Sequence, residues 1–223
     1  DFVPDAVNVS GGAVGEEVAL WLELARELGI VAGGLLEGAP TNVEVTARGE
    51  LSTEDVEVLG LAAARGLFSL MVEEPVTFVN APRIAEERGV GISVGTATES
   101  VTHRSVLEVK VIAADGTTST VVGALTGLER VEKIVRINDR GVDMRSEGRN
   151  LFLVYKDQPG ALGKVGSALG SAGINIEAAA LSPEADGDNA ILILRVSDEV
   201  PEDVVEAITA DIEAVRALQL VLN

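Results

Sequence analysis

Residues 151–176, LFLVYKDQPGALGKVGSALGSAGINI, decide how the last third of the chain folds. Apolar side chains alternate over 151–156, which predicts a strand with one buried face. The stretch 159–172 predicts a helix, with Pro159 in the first turn, where a missing N–H costs little. A second strand is predicted over 174–182. Four glycines are expected inside this helix, where they would permit close packing on a sheet: residues 160, 163, 166 and 170.

The remaining C-terminal residues complete a recognised pattern of elements. A turn at 184–188 leads into a third strand over 190–196, and a helix over 201–214 precedes a last strand over 217–222. The order is βαββαβ, which is the ferredoxin-like arrangement. We therefore expect a separate C-terminal domain over residues 148–223.

The first part of the chain mixes helices and strands differently. After a lead-in over 1–12, we expect an α/β domain over 13–147 with a mixed or antiparallel sheet, which makes the whole chain α+β. Ser52 or Thr53 is the expected cap of its second helix. The predicted helices cover 15–28, a segment after residue 53, and 82–88. The predicted strands cover 41–48, the region of 92–94, 106–112, 118–125 and 130–137, with a short strand after a turn at 138–141 and a polar linker at 145–150.

Composition limits the possible functions. The net charge of −19 disfavours nucleic acid and anionic membranes as partners, and no uninterrupted apolar run is long enough to cross a membrane. Without cysteine and with His103 as the single histidine, we expect no metal site, and a cytoplasmic location is compatible. The N-terminus carries no signal peptide and does not begin with Met, so we expect a piece of a longer protein.

Three polar residues near the predicted C-terminal strands are candidate binding residues. Alternation places Tyr155 and Asp157 on one strand face, and Asn175 is a lone amide at the start of an apolar strand. Asp157 also stands where a helix N-cap belongs, so it could simply cap the helix while Asn175 ties a turn. Both interpretations remain open from the residues alone.

A local excess of positive charge distinguishes residues 130–149, here called the basic segment. It holds six basic and four acidic residues, a net charge of +2, while the other 203 residues sum to −21. Either it is a solvated hairpin that pairs with acidic neighbours, or it binds an anion such as phosphate. Arg195, a charge on an apolar strand face, joins the candidates. The predicted anion-binding residues are Lys133, Arg140, Arg145 and Arg195.

The run Asp157-Gln158-Pro159-Gly160-Ala161-Leu162, followed by Gly173-Ile174-Asn175-Ile176, resembles the signature of the ACT domain family. That family binds amino acids at the interface of paired domains. In its serine-inhibited dehydrogenases, the effector lies between the end of the first strand and the Gly-x-Asn-Ile segment of the neighbouring domain. The resemblance thus implies that Tyr155, Asp157 and Asn175 contact serine.

Residues 1–145 resemble the long form of the phosphoglycerate dehydrogenases, which inserts an intervening, allosteric substrate-binding domain before its ACT domain. The resemblance rests on Phe2-Val3-Pro4-Asp5, on 44–49 and on Val79-Asn80-Ala81-Pro82. It implies a regulatory C-terminal part of an NAD-dependent enzyme of serine synthesis, a homo-oligomer that binds L-serine and a phosphate or phosphorylated acid.

No catalytic residue is assigned, and no cofactor is expected in this chain. The glycine-rich stretch 89–95 leads into strand sequence instead of a helix, so it lacks the context of a dinucleotide-binding loop. A stand-alone amino-acid sensor or scaffold without a dehydrogenase is the alternative. A lyase subunit is a third hypothesis, although the iron–sulfur cysteines expected there are absent from the sequence.

Overall fold

A computed structural model describes residues 14–183 and 189–222 of the chain. The chain divides into two compact units, Asp1–Lys133 and Ile134–Asn223. The lead-in at 1–12 and the turn at 184–188 lie outside the described residues. The domain boundary predicted at 147–148 falls inside the second unit and remains a prediction.

Helices and strands alternate irregularly along the chain. The helices are α1 (Glu16–Ala19), α2 (Leu22–Leu35), α3 (Glu57–Ser69), α4 (Ala81–Arg88), α5 (Ala161–Ser171) and α6 (Glu202–Asp211), with a 3₁₀ helix at Glu50–Thr53. The strands are β1 (Pro40–Gly49), β2 (Gly91–Ala97), β3 (Ser105–Ala113), β4 (Thr118–Thr126), β5 (Val131–Ile137), β6 (Arg140–Arg145), β7 (Gly148–Lys156), β8 (Ile176–Pro183), β9 (Asn189–Val196) and β10 (Ala214–Leu222). They form two sheets, in the orders β2-β1-β3-β4-β5-β6 and β10-β7-β9-β8.

In the first unit, a mixed sheet carries two helices on one face. Strand β1 pairs in parallel with β2 and antiparallel with β3, and β3 pairs antiparallel with β4. Helices α2 and α3 touch through their backbones at two glycines: a Cβ on Gly29 would lie 2.0 Å from the Ala63 carbonyl oxygen, and one on Gly66 would lie 1.8 Å from the Arg26 oxygen. Only glycine permits this approach.

Two sequence-based expectations for the first unit are wrong. The helix predicted over 15–28 is two helices, separated at Leu20 and Trp21, and the second runs on to Leu35. The apolar stripe continues through the break because buried Val18 and Trp21 both face the core. Ser52 and Thr53 do not cap α3, which begins at Glu57. Their hydroxyls instead donate to the carbonyls of Gly49, the N-cap of the 3₁₀ helix, and of Glu50, its first residue.

In the second unit, the βαββαβ order is confirmed. Strands β7, β9, β8 and β10 form an antiparallel sheet, and α5 and α6 pack on one of its faces. The core between them is almost free of solvent contact; it includes Leu151, Leu153, Tyr155, Val165, Leu169, Leu192, Leu194, Ile208 and Ile212. The opposite face is also buried at Phe152, Ile191 and Ile193, and β6 lies against β8.

The turn predicted at 138–141 is confirmed as a two-residue hairpin. Asn138 takes the left-handed conformation with φ 51°, which asparagine tolerates better than most residues. The linker predicted at 145–150 is shorter than expected, because β6 ends at Arg145 and β7 begins at Gly148.

The expected role of the glycines in α5 is wrong. Gly160 precedes the helix as its N-cap, with φ 88°. A Cβ on Gly163, Gly166 or Gly170 would meet no atom within 4 Å, so none of these three is required for close packing within the chain.

Candidate functional site

The loop at 157–160 connects β7 to α5 and leaves Asp157 exposed. The interpretation of Asp157 as the helix cap is wrong, because Gly160, three residues later, is the N-cap and α5 has no side-chain cap hydrogen bond. The loop is held by Gln158, whose Nε2 donates to the Ile212 carbonyl at 2.9 Å. In α5 itself, Lys164 Nζ donates to the neighbouring Asp211 carbonyl at 2.7 Å. The Asp157 carboxylate thus stands on an anchored loop without a role in capping.

Tyr155 lies beneath this loop, at the end of β7. Its side chain is 1% exposed and belongs to the core of the second unit. Burial raises the pKa of the Tyr155 hydroxyl, and the negative charge of Asp157 raises it further. The tyrosine is therefore first a core residue, and the charge of Asp157 acts on its hydroxyl.

Asn175 stands at the other helix end. Gly173, with φ 75°, ends α5, and the Ile174 N–H donates to the Leu169 carbonyl at 3.0 Å, as in a Schellman motif. The Asn175 N–H donates to Ser197 Oγ at 3.1 Å, and the Asn175 carbonyl accepts from the Ser197 N–H at 3.0 Å. These bonds fix an exposed residue at the start of β8.

Sheet topology places Asp157 and Asn175 far apart in one chain. Lys156 pairs with Asn189 at one end of β9, whereas Arg149 and Ile176 both pair with Val196 at the other end. Seven residues of β7 separate the two ends, which corresponds to about 23 Å. The predicted effector residues are thus not brought together within a single copy.

The predicted anion-binding residues divide into three groups. Arg145 and Arg195 come together: Arg145 Nη1 lies 3.8 Å from Glu147 Oε1, and Arg195 Nη1 bonds to the same oxygen. Arg140 is largely buried, with Nη1 3.8 Å from Asp139 Oδ1. Lys133 belongs to the first compact unit.

Two carboxylates that the sequence did not single out meet Arg195. Glu147 approaches from the junction before β7, and Glu177 Oε2 lies 3.2 Å from Arg195 Nε, an ion-pair distance without the alignment of a hydrogen bond. Glu177 is the extra residue of a β-bulge, since Ile176 pairs with Val196 and Ala178 already pairs with Arg195. The bulge gives the Glu177 side chain its direction. No sequence signal marks a bulge there.

Another cation of the basic segment has a structural role. Arg130 bonds through Nη1 to Glu17 Oε1 at 2.6 Å, and this hydrogen bond, more than any other cause, lowers the pKa of Glu17. Arg130 thereby ties the end of the β4–β5 turn to α1.

Other classes of site find little support in the described part of the chain. The glycine-rich stretch 89–95 forms the left-handed end of α4 and strand β2, so it does not fit the strand–turn–helix that holds NAD. Among residues 14–183 and 189–222, no group of three or more metal-ligating side chains is close enough to hold an ion. Within the same residues, no helix is both long and apolar enough to span a bilayer.

Two known family models match successive parts of the chain. The model of the D-3-phosphoglycerate dehydrogenase intervening domain matches residues 17–138, more than half of the sequence. The chain belongs to this family. The ACT domain model matches residues 149–213, which contain α5, β8, β9, α6 and all of β7 except its first residue.

Individual relatives are D-3-phosphoglycerate dehydrogenases. The protein of Mycobacterium tuberculosis is 53% identical over 97% of this chain and 41% of its own length, and that of Mycobacterium leprae is 51% identical over 96% and 40%. The protein of Archaeoglobus fulgidus is 32% identical over 85% of this chain and 36% of its own length. The chain therefore spans about two-fifths of the mycobacterial relatives it matches.

Proposed function

We propose that this chain is the regulatory part of a D-3-phosphoglycerate dehydrogenase and that L-serine binds its ACT domain between two copies of the chain. The observation that carries the proposal is the placement of Asp157 and Asn175 at opposite ends of the four-stranded sheet, about 23 Å apart. When two copies lie side by side with their sheets in opposite orientations, the Asp157 of one copy comes close to the Asn175 of the other.

The chemistry of these residues suits an amino acid. The exposed Asp157 carboxylate accepts hydrogen bonds from an ammonium group, and the N–H groups at the start of α5, at the positive end of its dipole, suit a carboxylate. The Asn175 amide can donate and accept at once, as a serine hydroxyl or carboxylate requires. Tyr155 is the third proposed contact, and because the residue is buried, we expect it to reach the ligand through its hydroxyl alone.

For the whole protein, we propose NAD-dependent oxidation of 3-phosphoglycerate in the cytoplasm, with the catalytic and NAD-binding parts outside this chain. The alternative is a stand-alone amino-acid sensor of the same fold. An open reading frame with roughly 300 upstream residues that contain a strand–turn–helix with G-x-G-x-x-G supports the dehydrogenase, and its absence supports the sensor.

Calorimetry with L-serine, glycine and a panel of amino acids tests the sensor function, together with light scattering for the oligomeric state. We expect heat with serine and a particle of at least two copies. If no amino acid gives heat at millimolar concentration, or if the serine-bound chain is a monomer, the proposal fails.

A second candidate activity is binding of phosphate or a phosphorylated acid, favoured by the approach of Arg145 and Arg195 to one carboxylate oxygen. Guanidinium groups grip phosphate oxygens through paired hydrogen bonds. Phosphate titration of the parent chain and of an Arg145→Ala variant tests it. We expect loss of affinity in the variant, and equal affinity in both chains, or binding in neither, would mean that the basic segment is a solvated hairpin.

A further inference from the structure

Arg195 is held in place along its whole side chain. Its stem passes over Gly148, where a Cβ would lie 3.1 Å from Arg195 Cδ, and Gly148 takes φ 74°. The amide of Asn150, the residue that pairs with Arg195 across the sheet, donates to the carbonyls of Glu147 and Gly148 at 3.0 and 2.9 Å. The segment that carries Glu147 is thereby fixed beside the guanidinium.

Glu147 occupies the position that a bound anion would take. One oxygen, Oε1, faces both Arg145 and Arg195. The side chain of Glu147 is 44% exposed and that of Arg145 is 56% exposed, so this side of the cluster is open to water. A carboxylate between two arginines resembles the contact that either guanidinium would make with a phosphate oxygen.

The charges around the two arginines oppose binding of an anion that carries a single negative charge. Arg145 and Arg195 carry two positive charges, and Glu147 and Glu177 carry two negative ones, so the cluster is neutral as it stands. The rest of the chain is strongly acidic. An anion gains a favourable position only where it replaces Glu147 and offers the arginines more charge or more acceptor oxygens than one carboxylate does.

We propose that Glu147 is an internal competitor of the anion site, displaced from Arg145 and Arg195 when a phosphate dianion binds. This inference rests on the anion site proposed above and adds its selectivity. Release of Glu147 has a modest cost, because Glu147 and Arg145 are half exposed and only Arg195, at 20% exposure, is shielded from water. A dianion offsets that cost and a monoanion does not, so Glu147 makes the site selective for phosphate or a phosphorylated acid over carboxylates and chloride.

The test is a phosphate titration of the parent chain, Glu147→Gln, Arg145→Ala and Glu206→Gln by calorimetry at constant ionic strength. Glutamine keeps the size of the side chain and removes its charge. Glu206→Gln makes the same change in net charge at an exposed position of α6. We expect Glu147→Gln to bind phosphate about fivefold more tightly or better, Glu206→Gln to match the parent, and acetate to compete only in Glu147→Gln.

The outcomes separate the two ideas. If phosphate binds the parent, fails to bind Arg145→Ala and binds Glu147→Gln no more tightly than the parent, the anion site stands and the competitor role is refuted. If Glu206→Gln tightens binding as much as Glu147→Gln, the effect is general charge and the competitor role is again refuted. If no form of the chain binds phosphate, the anion site itself fails. Glu147→Ala repeats the test should the glutamine bond to Arg195.

Discussion

We expect replacement of Asp157 with alanine to weaken ligand binding and to leave folding almost unchanged. Asp157 is exposed, and α5 is capped by Gly160 without a side-chain hydrogen bond. Had Asp157 been the cap, its loss would cost about 1 kcal/mol. An exposed side chain outside such a role changes stability by less than about 0.5 kcal/mol, which is a melting-temperature shift of less than about 2 °C in a chain of this size.

The same substitution should strongly weaken serine binding. A hydrogen bond to a charged group contributes about 1.5–3 kcal/mol. Loss of the ammonium acceptor therefore corresponds to a dissociation constant about 10- to 150-fold higher. The effect on binding exceeds the effect on folding by at least threefold in free energy.

Calorimetry with serine and thermal unfolding of the same samples measure both quantities. Glu206→Ala is the matched control, because it removes one exposed carboxylate from the same unit away from the 157–160 loop. A variant that melts well below the parent but keeps its serine affinity would show that Asp157 serves the fold. Unchanged affinity in both variants would remove Asp157 from the site.

Two further predictions follow from the packing. In urea unfolding, Gly66→Ala should lower the free energy of unfolding by about 2 kcal/mol, because a Cβ would lie 1.8 Å from a backbone oxygen. The gain in helix propensity, about 1 kcal/mol, does not offset this clash. Gly163→Ala, where a Cβ meets no atom within 4 Å, should instead raise the free energy of unfolding by up to about 1 kcal/mol. Equal effects would contradict the close approach at Gly66. Tyr155 is the one tyrosine of the sequence, so phenolate absorbance reports its hydroxyl alone. The absorbance should titrate above pH 10 in the folded chain and near pH 10 in urea, and because the folded pKa is raised, stability is lost as pH rises through that pKa. A normal midpoint in the folded chain would refute the burial of the hydroxyl.

Much of the second unit could be predicted from sequence because its periodicity is local. Alternation over 151–156 and the apolar stripe of α6 each mark one buried face. The break at Leu20 and Trp21 could not be predicted, since the apolar stripe continues across it. Ser52 and Thr53 have the chemistry of caps, but their hydroxyls bond within a 3₁₀ helix that the residue types do not distinguish.

The candidate site was predicted in its residue types and not in its geometry. Asp157 and Asn175 stand at the ends of elements, where a polar residue in an apolar segment is visible in sequence. Their separation follows from strand order, which depends on tertiary pairing. The pairing of Arg195 with Glu147 and Glu177 was missed because one partner lies 48 residues away in sequence and the other depends on a bulge.

The bulge at Glu177 also determines where the edge strand β8 tolerates a change in length. Deletion of Glu177 would leave Ile176 opposite Val196 and Ala178 opposite Arg195, which is a regular ladder. Deletion of any later residue in β8 would turn every following side chain to the other face of the sheet. The pairing of β8 with β9 therefore does not require Glu177, the residue that supplies the carboxylate. Relatives shortened by one residue at this point could keep the fold, and the Asn175 turn with it, while losing one of the two acids that hold Arg195.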